Sequence, residues 1–61
     1  MKNVADYKGK LIVAIFNLTG DVLAKGRVID TAGCNMIFVL QESGHEVSVT
    51  VHENTTIKVI A

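Results

Sequence analysis

The most reactive side chains in this sequence are one thiol and two imidazoles, those of Cys34, His45 and His52. A cysteine nucleophile needs a neighbouring base to take its proton and a third group to orient that base. Nothing in the spacing of His45 or His52 arranges this, so Cys34 reads as a small buried or loop thiol. A metal centre needs closely spaced pairs of ligands, and these three residues are scattered. The expectation is therefore no catalytic residue, no metal and no cofactor. Lys25 and Arg27 are the remaining polar candidates, two apart and so on one side of an extended strand, where they could meet phosphates. Six basic and six acidic residues cancel, which removes any general attraction to a phosphate backbone and leaves only local patches.

The elements that must position these residues are strands. Residues 11–18, 22–29 and 36–40 are rich in Val, Ile and Phe and are separated by Gly, Asn and Asp, which predicts a three-stranded meander. Residues 11–18 are apolar on both faces, which implies cover on both sides of the sheet. In the second strand Val22, Ala24, Gly26 and Val28 share one face, and Leu23, Lys25, Arg27 and Ile29 share the other. Gly26 in mid-strand marks a bulge, a bend or a close backbone approach. Gly20 supplies the positive φ of a tight turn. Residues 30–35 form the second loop, and a tight hairpin at residues 42–45 leads into a fourth strand at 46–52. There Val47, Val49 and Val51 point inward while Glu46, Ser48, Thr50 and His52 point outward. A fifth strand at 56–60 places Ile57 and Val59 on one face. Both Phe16 and Phe38 read as core. Residues 1–10 form either one short helical turn around Val4, Ala5 and Tyr7 or an extended lead-in. The fold class expected is all-β: one domain over residues 1–61, a small, strongly bent, five-stranded antiparallel barrel of Sm-like, SH3-like or truncated OB type.

A chain of 61 residues buries only about 60% of its unfolded surface, so a lone monomer is marginal. Disulfides, metals or oligomerisation are the usual remedies. Cys34 is the only cysteine, which excludes an internal disulfide and fits a reducing compartment. At 49% hydrophobic residues, the composition favours self-association. The longest apolar run, residues 11–16, is too short to cross a bilayer, and the first residues lack an apolar signal core. A cytoplasmic protein without membrane contact is the expectation.

The pattern resembles the Sm-like family of small barrels, the Sm, Lsm and Hfq-type proteins. The first motif of that family matches Thr19-Gly20-Asp21, then Gly26 within Lys25-Gly26-Arg27-Val28-Ile29-Asp30, then Asn35-Met36 leading into Ile37. The second matches Val47 to Val51, a turn over residues 52–55, and Ile57-Lys58-Val59-Ile60. The likeness extends over nearly the whole chain from Gly9. There are departures. Gly20 and Gly26 stand one position further apart than is common in the family, which implies a bulge or register shift. Asn35-Met36 stands where the family favours Met-Asn. Glu53-Asn54 stands in place of Arg-Gly and reverses the charge.

The resemblance implies a ring of roughly five to seven copies in which the fourth strand of one subunit pairs with the fifth of the next. The apolar seam would be made by Val47, Val49, Val51, Ile57 and Val59. It also implies single-stranded RNA held at pore-side loops by Asp30, Asn35, Met36, His52 and Asn54 through base-edge contacts and stacking. The bland alternative is that Asp30 caps its loop, Asn35 forms a turn and His52 is a solvated strand end. The missing partner residues and the charge reversal at Glu53 define a second reading, a ring-forming structural or protein-interaction module that has lost RNA recognition.

Overall fold

A computed structural model describes residues 4–61; the first residues of the expected lead-in lie outside them. A single 3-10 turn, Val4–Tyr7, precedes five strands: β1 Leu11–Phe16, β2 Asp21–Ala32, β3 Met36–Gln41, β4 Glu46–Thr50 and β5 Thr55–Val59. They form one antiparallel sheet in the order β4-β3-β2-β1-β5. The all-β class and the number of strands agree with the sequence. The hydrogen-bonded order is open, with β4 and β5 as its two margins.

One face of the sheet carries the core. Ile12, Ala14, Ala24, Val28, Ile37, Val39 and Val49 are buried there, and the turn adds Val4, with Tyr7, Val47, Val51 and Ile57 packed around them. No polar side chain is buried among the described residues, so apolar burial supplies nearly all the cohesion. The turn is too short to hold itself. It is fixed by burial of Val4, by the Val4 amide near the Cys34 carbonyl at 3.5 Å, and by the Gly9 amide donating to the Val28 carbonyl at 2.7 Å.

The length of β2 requires irregularities. Ala14 pairs with Ala24 but Ile15 pairs with Val22, so Leu23 is an extra residue on β2. Val28 pairs with Val39 but Asp30 pairs with Phe38, so Ile29 is a second extra residue. Each bulge bends and twists the strand locally. Leu23 falls between Gly20 and Gly26, where the long glycine spacing implied a register shift. Midway between the bulges, Gly26 meets the backbone of β3. A Cβ at Gly26 would overlap the Leu40 carbonyl oxygen and lie 2.8 Å from its carbon. Gly26 is thus a close backbone approach flanked by two bulges.

Some boundaries and faces differ from the sequence expectation. Asn17 and Leu18 belong to the β1–β2 turn, and Asp30, Thr31 and Ala32 extend β2, so the second loop shrinks to Gly33, Cys34 and Asn35. Asp30, Thr31 and Ala32 pair with Phe38, Ile37 and Met36, a ladder that outweighs the turn preference of Asp and Thr. Val22 is 59% exposed and does not join Ala24 and Val28 inside, because the bulge at Leu23 turns it to the other face beside Ile15. Phe16 and Phe38 are half-buried and outside the core. Phe16 ends its strand opposite Asp21 and Thr55, and Phe38 lies on the outer face between Asp30 and Ser48. His52 lies beyond β4, in the turn to β5.

Candidate functional site

The residues named for recognition divide into a group that the fold assembles and one that it sets apart. The Val51 amide donates to the Asn35 carbonyl at 2.6 Å, and Met36 pairs with Thr50. The end of the second loop is therefore fastened to the end of β4, with His52 following directly. The turn after β4 is closed by the Thr55 amide on the His52 carbonyl at 3.0 Å. Asn35 and His52 are exposed and Met36 is half-buried. Asn54 shares this turn, and its carbonyl accepts the Asn17 amide at 2.7 Å, which anchors it to the β1–β2 turn. Asp30 stands apart on β2. Its carboxylate accepts the Thr31 amide at 2.8 Å and lies 3.7 Å from Lys8 Nζ. Asp30 thus bonds to its neighbour within β2, three residues before the loop begins at Gly33.

An exposed imidazole and an exposed carboxamide on neighbouring backbone segments offer a stacking plane and a donor–acceptor pair of the kind that reads single-stranded bases. They offer no catalytic geometry. Cys34 is an exposed loop thiol. His45 Nδ1 is 3.2 Å from Ser43 Oγ across the β3–β4 hairpin, with no third orienting group. The described residues contain no cluster of three metal-ligating side chains. None of their helices is long and apolar enough to cross a membrane.

The sheet margins form a second candidate surface. Hydrogen-bonded and non-bonded pairs alternate along an antiparallel ladder. Between β3 and β4 the bonded pairs include Asn35 with Val51 and Gln41 with His45, the latter at 2.9 Å. Glu46, Ser48 and Thr50 fall at the intervening positions, so their amides and carbonyls point away from β3. Between β1 and β5 the bonded pairs include Asn17 with Asn54 and Leu11 with Ile60, the latter at 2.8 Å. Thr55, Ile57 and Val59 then point their backbone groups away from β1. Each margin thus presents three residues whose backbone groups point away from the sheet at alternate positions; of these, only the Thr55 amide already has a partner, the His52 carbonyl. Neither edge contains proline, and each carries a single charged residue, Glu46 on β4 and Lys58 on β5; an unpaired edge of this kind can accept another strand.

The seam side chains are less uniform than the sequence implied. Val49 is 6% exposed and belongs to the core, opposite Ile37, while Val59 is 48% exposed. Val47, Val51 and Ile57 are half-buried.

One residue escaped the sequence reading. Lys58 pairs with Val13, which on its other side pairs with Lys25. Two lysines therefore flank one valine on the outer face, an arrangement legible only once the strand order is known. Comparison with known proteins adds no relative: no family model, curated protein or solved structure matches the chain.

Proposed function

We propose that this chain is a ring-forming module of the Sm-like kind, its bent sheet closing as a small barrel, and that the pole bearing Asn35, Met36 and His52 holds single-stranded RNA. The observation that carries this reading is the match between the two free margins. Glu46, Ser48 and Thr50 on β4 are equal in number and spacing to Val59, Ile57 and Thr55 on β5. An antiparallel junction placing Ser48 opposite Ile57 of a second copy aligns all three pairs; the Ser48–Ile57 and Glu46–Val59 rungs form in full, while at the Thr50–Thr55 rung the Thr55 amide already serves the His52 carbonyl. The junction joins unlike surfaces, so each copy gives one edge and receives on the other, and repetition closes into a ring.

Side-chain direction agrees with a bent subunit. Glu46, Ser48 and Thr50 lie on the outer face, whereas Ile57 and Val59 lie on the core face. Directly paired residues share a face, so the continuous sheet must turn over between copies. A strongly bent sheet accommodates that, and the two bulges and Gly26 of β2 supply bending.

At the pole, His52 would stack on a base and Asn35 would bond a base edge. The second reading, a ring that binds protein and not RNA, is favoured by Glu53 in the same exposed turn and by the lack of any aromatic residue there.

Native mass spectrometry separates these outcomes. The wild type should give one closed oligomer. Ser48→Pro should give monomer, because it removes an amide directed only outward and edge strands tolerate proline. A monomeric wild type, or a Ser48→Pro oligomer of unchanged mass, removes the seam. With one Tyr and no Trp, the protein absorbs weakly at 280 nm, so copurified RNA would raise the 260/280 nm ratio. A clean ring with no affinity for oligouridylate or oligoadenylate eliminates RNA and leaves the protein-binding ring.

A further inference from the structure

The outer face of β1 forms an apolar ridge with cationic borders. Leu11, Val13 and Ile15 lie along it at alternate positions and are half-buried. On the β2 side they pair with Arg27, Lys25 and Val22, and on the β5 side Val13 and Ile15 pair with Lys58 and Thr56. Leu40, 39% exposed, continues the apolar surface beyond Arg27, and Ile60, 49% exposed, continues it beyond Leu11. Opposed strand positions usually match a cation with an anion. Here Lys25 and Lys58 face each other across a valine, and neither is in an ion pair; the only ion pair among the described residues is Lys8 with Asp30. Arg27 donates to the Gly9 carbonyl at 2.6 Å and keeps its full charge on this face.

The acidic residues stand off the ridge. Asp6 is in the 3-10 turn, Asp21 at the start of β2, Glu42 in the β3–β4 hairpin and Glu53 in the β4–β5 turn, while Asp30 opposite Phe38 and Glu46 opposite Leu40 share the outer face further from β1. A chain with no net charge thus gathers three positive charges along the borders of one aliphatic ridge, with the carboxylates of that face displaced toward β3 and β4.

We infer that this face docks an extended polypeptide segment that alternates acidic and aliphatic side chains. Aliphatic side chains of the segment would face Leu11, Val13 and Ile15, its carboxylates would point away from the sheet, and the long exposed side chains of Lys25, Arg27 and Lys58 would extend past its flanks to meet them. Charge complementarity calls for an anionic partner, and the ridge selects a polypeptide over a nucleic acid. Bases need aromatic planes to stack on, and Phe38, the one aromatic residue on the outer face, sits between Asp30 and Ser48 away from the ridge. The surface shares only Lys58 with β5, where it pairs with Val13 and not with the outward side of the strand, and it lies apart from β4 and the Asn35–His52 pole, so the inference does not rest on ring formation or RNA binding.

The test is titration of the isotope-labelled chain with a short peptide alternating glutamate and valine, followed by amide shifts. Shifts should centre on Val13, Lys25 and Lys58. Binding should weaken with salt and fall about tenfold in the double variant Lys25→Gln/Lys58→Gln. These lysines are exposed, so the variant should keep its circular dichroism spectrum. Equal binding of a glutamine–valine peptide would overturn the inference by showing that charge is unused. Shifts confined to β4 or β5 would overturn it in favour of strand addition. Stronger binding of oligouridylate at the same amides would make the face a nucleic-acid surface, and no binding at all would end the proposal.

Discussion

Midway along β2, Gly26 lies so close to the Leu40 carbonyl that no side chain fits. At the margins of the same sheet, the outward amides of Ser48 and Ile57 meet no strand. The first site is determined wholly by what surrounds it inside the chain, and the second is left undetermined by the chain itself. A residue dictated from within reports the fold, whereas one left unsatisfied at an edge reports what lies outside. The proline-free edges of β4 and β5 are of the second kind.

The severest way to break the contrast is at its interior end. Gly26→Ala should abolish folding. Ordinary overpacking costs about 1–3 kcal/mol because side chains shift rotamers to make room. The overlap here is with a backbone carbonyl in the centre of the sheet, and no rotamer relieves it. A domain of this size has only about 3–5 kcal/mol to lose. Urea denaturation followed by circular dichroism reads the result. A variant with an unchanged midpoint would mean that β2 and β3 separate freely at this point.

Two valines sharpen the comparison at the edges. Val49 on β4 is 6% exposed and Val59 on β5 is 48% exposed, although both alternate in the same way along marginal strands. Val49→Asp should destabilise each copy by about 3 kcal/mol or more, because it leaves a charge unpaired in the core. Val59→Asp should cost the isolated fold within about 1 kcal/mol, the scale of a strand-propensity change. It should nevertheless disrupt assembly, since the apolar edge it interrupts is covered only there. Denaturation midpoint and native mass are measured together on both variants. If Val59→Asp keeps the oligomer, β5 is not the receiving edge.

How much of this was legible in the sequence depends on whether one strand or two decide a residue's place. Val47 and Val49 inward with Glu46 and Ser48 outward could be read directly, because a one-sided strand shows its period. Val22 could not. Its face depends on the bulge at Leu23, which the glycine spacing signalled without locating. Asp30 and Thr31 carry loop preferences, yet pairing with Phe38 and Ile37 draws them into β2. Of the candidate site, the segments carrying Asn35 and His52 come together because the Val51 amide reaches the Asn35 carbonyl, a long-range contact that no local pattern encodes. Lys58 joins Lys25 only because β1 lies between β5 and β2. The fold was visible wherever burial set the pattern. Surface groupings required the strand order.

The smallest expected effect concerns how firmly the β5 edge is held. Thr56 Oγ1 donates to Asn17 Oδ1 at 2.6 Å and ties the start of β5 to the β1–β2 turn. Thr56→Val keeps the side-chain shape and removes the hydroxyl. A hydrogen bond in an open position contributes about 0.5–1 kcal/mol, and Asn17 is exposed, so its oxygen regains water. The loss should therefore appear as local opening of the margin. Amide exchange at Thr56 and Lys58 should quicken by roughly twofold to fivefold, while exchange at Ile37 and Val39, inside the sheet, stays unchanged. Equal acceleration at all four amides would mean that β5 opens only when the whole sheet does. The edge would then be as firmly set as the centre, and the distinction between a self-sufficient interior and a margin awaiting a partner would fail.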